Sequence, residues 1–219
     1  MTDAAEQCPR SYDGSGRRAA ARRNRIAVLD ACRDLLLRDG YRAMSIQAVA
    51  ERAGVSAPLV YKTFGSKQAL VKAVYDATLA GDDEPVPMHA RPELQAVVAE
   101  SDPWLKLVGY AAFIEGAHDR LAGLLTVFAA ADPELAEIAD VTDRERARGT
   151  RAFVDHLAAV ELLRAGLRAD RAADACWLLT SPQVHDRMRR MCGWEAGEFR
   201  EWLARMLAAA LLEDGYGAN

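Results

Sequence analysis

Residues 44 to 70, "MSIQAVAERAGVSAPLVYKTFGSKQAL", leave a chain few ways to fold. Ser45 is a good N-cap for a segment whose inner face is Ile46, Val49, Ala50 and Ala53, and Gly54 stops it. Ser56 then caps a very short helix running through Thr63, and Ser66 caps a further one through Leu70, Val74 and Ala77 to about Ala80. Helices this short are marginal alone, so they must be packed against one another. The small side chains of Ala50 and Ala53 allow close approach, and Gly54 supplies the positive φ of a tight turn. The spacing predicts two helices crossing at a steep angle, with Val55 and Val60 pointing inward.

The segments on either side are also helical in pattern, and no stretch alternates as a strand would. Upstream, residues 22–38 put Ile26, Leu29, Cys32, Leu35 and Leu36 on one face, and the helix stops at Gly40. Residues 1–16 mix Gly, Ser, Pro and charge without periodicity and read as a disordered tail. Downstream, "GDDEPVPMHARP" breaks the pattern with three prolines and an acidic run, which marks a linker at 81–92. Asp102-Pro103, Asp132-Pro133 and Asp170 then read as starts of further helices. The expected architecture is all-α: a three-helix N-terminal unit with a connecting fourth helix over 17–80, joined to a larger helical bundle over 93–219.

Composition narrows the function classes. The longest apolar run, Leu121 to Ala131, is too short to cross a bilayer, which takes roughly 20 residues. No apolar core precedes a cleavage site near the N-terminus, so the expected location is the cytoplasm. Cys8, Cys32, Cys176 and Cys192 form no C-x-x-C pair and read as buried or incidental thiols. His89, His118, His156 and His185 show no metal-ligand spacing, and no nucleotide loop or nucleophile elbow is present. Neither a metal, a cofactor nor an enzymatic activity is expected.

Charge is distributed unevenly. Residues 17–72 carry 12 Arg and Lys against 4 Asp and Glu, whereas the whole chain has a net charge of −4. A cationic unit carried by an acidic one suggests a polyanionic partner for the first. If Val60 faces inward, then Ala57, Pro58, Tyr61, Lys62 and Thr63 lie outward on the second helix of the pair, where a recognition helix meets the major groove of DNA. Ser45, Ser56 and Lys67 stand at helix starts, where free N–H groups and the helix dipole favour phosphate.

At these residues the sequence resembles the TetR family of transcriptional regulators. Members typically read "T-x-x-x-IA-x-x-AGVS-x-x-x-LY-x-x-F-x-x-K-x-x-L", against "SIQAVAERAGVSAPLVYKTFGSKQAL" here. Ser45 replaces the usual threonine, Val49 the isoleucine and Val60 the leucine, and Thr63 stands where a histidine is common. The resemblance covers about residues 22–80 and implies a DNA-binding regulator that takes a near-palindromic operator as a homodimer.

A weaker likeness covers "ACWLLTSPQVHDRMRRMCGWEAGEFREWLARMLAAALL", where one large subset of the family forms a four-helix dimer interface. Phe199, Trp202, Leu203, Met206, Leu207, Ala210 and Leu211 form a continuous stripe at helical spacing, which makes them the expected interface. The resemblance also implies a small-molecule effector pocket in the middle of the chain. The candidates to line it are Trp104, Tyr110, Phe113, Phe128, Phe153 and Trp177, with His118, Arg151 and His156 as polar anchors. Two functions remain open: a ligand-responsive regulator, expected to be a repressor released by an apolar or aromatic effector, or an effector-independent DNA-binding protein whose larger unit serves dimerisation or a protein partner.

Overall fold

The computed structural model describes residues 15–129 and 132–213. The expected tail over residues 1–14, with Cys8, lies outside the described residues, and Ser15 and Gly16 already belong to the first helix. Among the described residues the chain is all-α. In order, the helices are α1 (Ser15–Ala43), α2 (Ile46–Ala53), α3 (Ala57–Phe64), α4 (Lys67–Ala80), α5 (Pro92–Ala99), α6 (Pro103–Phe128), α7 (Pro133–Ala159), α8 (Ala169–Leu179), α9 (Pro182–Asp186) and α10 (Ala196–Leu211). A short 3₁₀ turn, Met88–Ala90, precedes α5, and a π-helical turn, Arg187–Met191, follows α9.

Local chemistry sets most of the boundaries. Gly40, at φ 78°, breaks the end of α1 and turns Tyr41 and Met44 back into the interior. The Ser45 hydroxyl accepts the Ala48 N–H at 3.1 Å and opens α2; the Ser66 hydroxyl accepts the Ala69 N–H at 3.1 Å and opens α4. Ser56 precedes α3 but makes no capping bond, and Pro58 in the first turn starts that helix instead. Asp102 and Asp132 cap α6 and α7. Asp170 does not cap α8: Arg168 holds that place, and Asp170 sits in the first turn, paired with Arg168.

Gly54 ends α2 at φ 67° and ψ 31°, a left-handed conformation that a side chain disfavours. Nothing lies within 4 Å of an added Cβ, so Gly54→Ala would be strained without clashing. It is expected to cost about 1–2 kcal/mol of stability. A lower urea midpoint with an unchanged slope would show it.

Two apolar cores divide the interior. The first joins Leu29, Cys32, Leu35 and Leu36 of α1 to Val49 and Ala50 of α2, Val60 of α3 and Leu70, Val71 and Val74 of α4. Ile26, expected on the same face, is 37% exposed, two residues before Val28, the first residue of α1 buried in this core. The first core does not close at residue 80, because Leu121 and Leu124 of α6 and Leu135 and Ile138 of α7 are buried in it. The larger unit therefore reaches down into the smaller one. The second core gathers α5, the first half of α6, and α7, α8 and α10.

The linker is tied down at both ends. Arg91, only 8% exposed, makes a two-pronged bond to Asp82 at 2.7 and 2.9 Å, and this guanidinium draws the Asp82 carboxyl down to about 2. Residues 82–91 form a closed loop on the protein surface.

The helix α10 requires a correction. Phe199, Leu203, Leu207 and Leu211 are each 0% exposed in the chain's own second core, so they cannot face a partner. Trp202, Met206 and Ala210, on the flank of the same helix, are partly buried. The periodicity marked a buried stripe, and α6 and α8 are what cover it.

Candidate nucleic-acid interface

The α2–α3 pair is built on contact between Val49 and Ala50, at 0% and 1% exposure, and Val60, at 1%. With that side of α3 turned inward, Pro58, Tyr61, Lys62 and Thr63 are exposed and Ala57 is half-buried. Tyr61 is 53% exposed, far more than a tyrosine that contributes to a core. Ser45 and Ser56 are exposed at the starts of α2 and α3. Of the sequence-expected contact residues, Ser45, Ser56, Pro58, Tyr61, Lys62 and Thr63 are thus exposed, and Ala57 and Lys67 are half-buried.

Two of them have internal partners. The Thr63 hydroxyl donates to the Leu59 carbonyl at 2.8 Å, so its proton is not free for a phosphate oxygen. Lys67, the first residue of α4, holds its ammonium 4.0 Å from the centre of the Tyr41 ring. The Tyr41 hydroxyl in turn donates to Glu134, and burial with that carboxylate raises the phenol's pKa. This chain of contacts fixes where the cation stands. Sequence reading missed Tyr41, whose one signal was an aromatic residue directly after the helix-stopping Gly40.

Arg25 was also missed. Its guanidinium lies 4.9 Å from the centre of the Phe64 ring and reaches Asp83 at 2.8–3.1 Å. No local pattern signals this contact, since the partners are 58 positions apart.

The effector candidates are dispersed. Tyr110 and Phe153 stack with centroids 3.7 Å apart inside the second core, with Trp104 packed against the same cluster. Phe128 lies 5.7 Å from Tyr75 in the first core, so it belongs to the junction with α4. Trp177 is covered by the Arg146 guanidinium at 4.8 Å. Arg151 is exposed and paired along α7 with Asp155, which removes it as a buried anchor. The ring of His156 is 3.1 Å from the Lys106 ammonium, which donates to the Val97 and Val98 carbonyls at the end of α5. His118 is 4% exposed, and burial lowers its pKa to about 3, so it is a neutral imidazole. Burial also pushes the Cys32 and Cys176 thiols up to about 12, which makes both inert.

A cleft of about 260 Å³ opens between the end of α4, the linker and α6. Phe113 is the one effector candidate that lines it, together with Ala80, Met88, Arg91 and Arg120 among others. Arg120 also donates to the Thr78 and Leu79 carbonyls at the end of α4, at 2.7–3.3 Å. A single side chain thus touches both the cleft and the helix that starts at Lys67.

The geometry is that of a helix-turn-helix unit carried on a larger helical body. Residues 28–74 match the family model "Bacterial regulatory proteins, tetR family". The N-terminal part of this chain is therefore similar to that of bacterial regulatory proteins of the TetR family. It is 43% identical over 47 residues to YvkB of Bacillus subtilis, described as an uncharacterized HTH-type transcriptional regulator; the match covers 22% of this chain. The chain spans about a quarter of the length of the curated relatives it matches, 25% in the case of YvkB.

The likeness to solved structures extends over the whole fold. NalD, the secondary repressor of the MexAB-OprM multidrug efflux pump in Pseudomonas aeruginosa, aligns over 90% of this chain and 100% of its own, with a TM-score of 0.66 and 20% identity. SmeT in complex with triclosan aligns over 88% and 93%, with a TM-score of 0.63 and 17% identity; SmeT is the repressor of the Stenotrophomonas maltophilia efflux pump SmeDEF. At such identities the likeness establishes the fold.

Proposed function

We propose that this protein is a ligand-responsive transcriptional repressor that binds a near-palindromic operator as a homodimer and is released by a small apolar or aromatic effector. The observation that carries the reading is the one-sided exposure of Pro58, Tyr61 and Lys62 on α3, with Ser45 and Lys67 at the starts of the flanking helices. A single α3 offers few base contacts, and a two-fold dimer places two of them about 34–36 Å apart in successive major grooves. The outer flank of α8 and α10 suits such a dimer, because Leu178 of α8 is 60% exposed and Met206 of α10 is only partly buried. None of the described helices is long and apolar enough to cross a membrane. A cytoplasmic location fits a repressor.

Ligand response is supported by the cleft, whose wall includes Ala80, the last residue of α4. An effector changes operator affinity only by its own difference in affinity for the two states, so it must touch something that differs between them. The α4 end is such a feature. A coupling of roughly 1–3 kcal/mol is expected, and operator DNA should weaken effector binding by the same factor.

The tight packing of Tyr110 on Phe153 favours the second reading, a DNA-binding protein whose larger unit serves assembly alone. Selecting bound fragments from the organism's own DNA and titrating the winning operator with candidate effectors separates the two. Equal effector affinity for free and operator-bound protein would discard ligand response and retain DNA binding. Failure to enrich any fragment would discard both.

A further inference from the structure

The first turns of α1 carry Arg17, Arg18, Arg22, Arg23 and Arg25, with no acidic residue before Asp30. Arg18, Arg22 and Arg25 fall at i, i+4 and i+7, so they share one face of the helix. That face is turned toward α3. A cleft of about 440 Å³ is walled by Arg22 and Arg25 of α1, by Leu59, Thr63 and Phe64 of α3, and by Asp83 and Glu84 of the linker. Arg22 pairs with Glu84, and Arg25 holds Asp83 through two nitrogens at 2.8–3.1 Å. The acidic side chains of the loop are therefore seated on guanidinium groups beside the recognition helix.

We propose that the N-terminal turns of α1 are a second DNA-backbone surface beside α3, and that Asp83 and Glu84 occupy it as intramolecular stand-ins for phosphate. The inference rests on the DNA-binding reading above. A guanidinium that binds a carboxylate through two nitrogens presents the same fork to a phosphate. Arg22, with its side chain 58% exposed, is open to exchange one for the other, whereas Arg25, stacked on Phe64, holds the loop in register.

The arrangement also gives the loop a part in regulation. Only Gly81 and Asp82 separate the end of α4 from Asp83, and Arg91 fixes Asp82 at the entry to α5. A displacement of α4 moves the two carboxylates with it. When pressed onto α1 they compete with DNA, and when lifted away they leave the arginines to the phosphates.

The test uses the full chain and a fluorescein-labelled duplex of arbitrary sequence, with affinity followed by anisotropy across a salt series. Glu84→Gln is expected to bind severalfold more tightly at low salt, where the Arg22–Glu84 pair is hardest to break. Its log–log salt slope should steepen by up to about one, since each phosphate contact contributes about 0.9. Arg22→Ala should bind more weakly with a shallower slope, and in that background Glu84→Gln should bring no gain. An equal gain in both backgrounds would mean a long-range charge effect and would overturn the proposal, as would a Glu84→Gln variant that binds like the parent. If the parent itself ignores the duplex, the DNA-binding reading fails and this inference with it.

Discussion

Truncating Phe199 to alanine is expected to cost about 3–5 kcal/mol of folding stability. The side chain is 0% exposed, meets the His185 ring edge-on at 4.9 Å and the Trp202 ring at 5.9 Å, and helps to seat α10 against α6. Removing the ring leaves a cavity that close-packed neighbours fill only in part, and the loss is a large share of the roughly 5–15 kcal/mol that holds a typical protein folded. Leu178→Asp is the contrasting change. Leu178 is 60% exposed on α8, so an aspartate there should leave the urea midpoint near that of the parent and turn dimers into monomers. Circular dichroism in urea reads the first effect, and light scattering during size exclusion reads the second. A Phe199→Ala protein with the parent's midpoint but monomeric mass would mean that α10 turns its large side chains outward, against the burial described.

The two substitutions separate what the sequence reveals about a helix from what it leaves out. Capping is local chemistry, and Ser45, Ser66, Asp102 and Asp132 each bond an N–H two or three residues away. Such signals are legible because both partners stand in one short window. The α10 stripe was equally legible as a buried face, yet its period carries no information on what covers it, and the second core took what family likeness had assigned to a partner chain. The aromatic residues of α6 and α7 show the same limit. Phe113 and Tyr110 are three positions apart on one helix, but Tyr110 is closed against Phe153 while Phe113 reaches the cleft. The acidic residues of 81–92 read only as part of a linker, because their arginine partners lie 58 and 62 positions upstream.

Replacing Tyr61 and Lys62 by alanine is expected to remove operator recognition while leaving the fold in place. Both side chains are exposed on the outward side of α3, and surface changes of this kind usually alter stability by about 0.5 kcal/mol or less. Any loss of affinity then belongs to the complex. Tyr61→Ala should cost about 1–3 kcal/mol on the selected operator, the range of a lost base-edge contact. Lys62→Ala should change which operator variants are preferred, as should a substitution at the half-buried Ala57 beside it. Lys67→Ala belongs to a different class. Its ammonium stands at the start of α4 over the Tyr41 ring, the place proposed for a phosphate contact, so affinity should fall about equally for all sequences. Its salt slope should become shallower by about 0.9. The three variants are compared on the operator and on a scrambled duplex, because the ratio of the two affinities distinguishes reading from gripping. If Tyr61→Ala and Lys67→Ala both bind the operator as the parent does, α3 does not present its outward face to DNA and the interface lies elsewhere on the molecule.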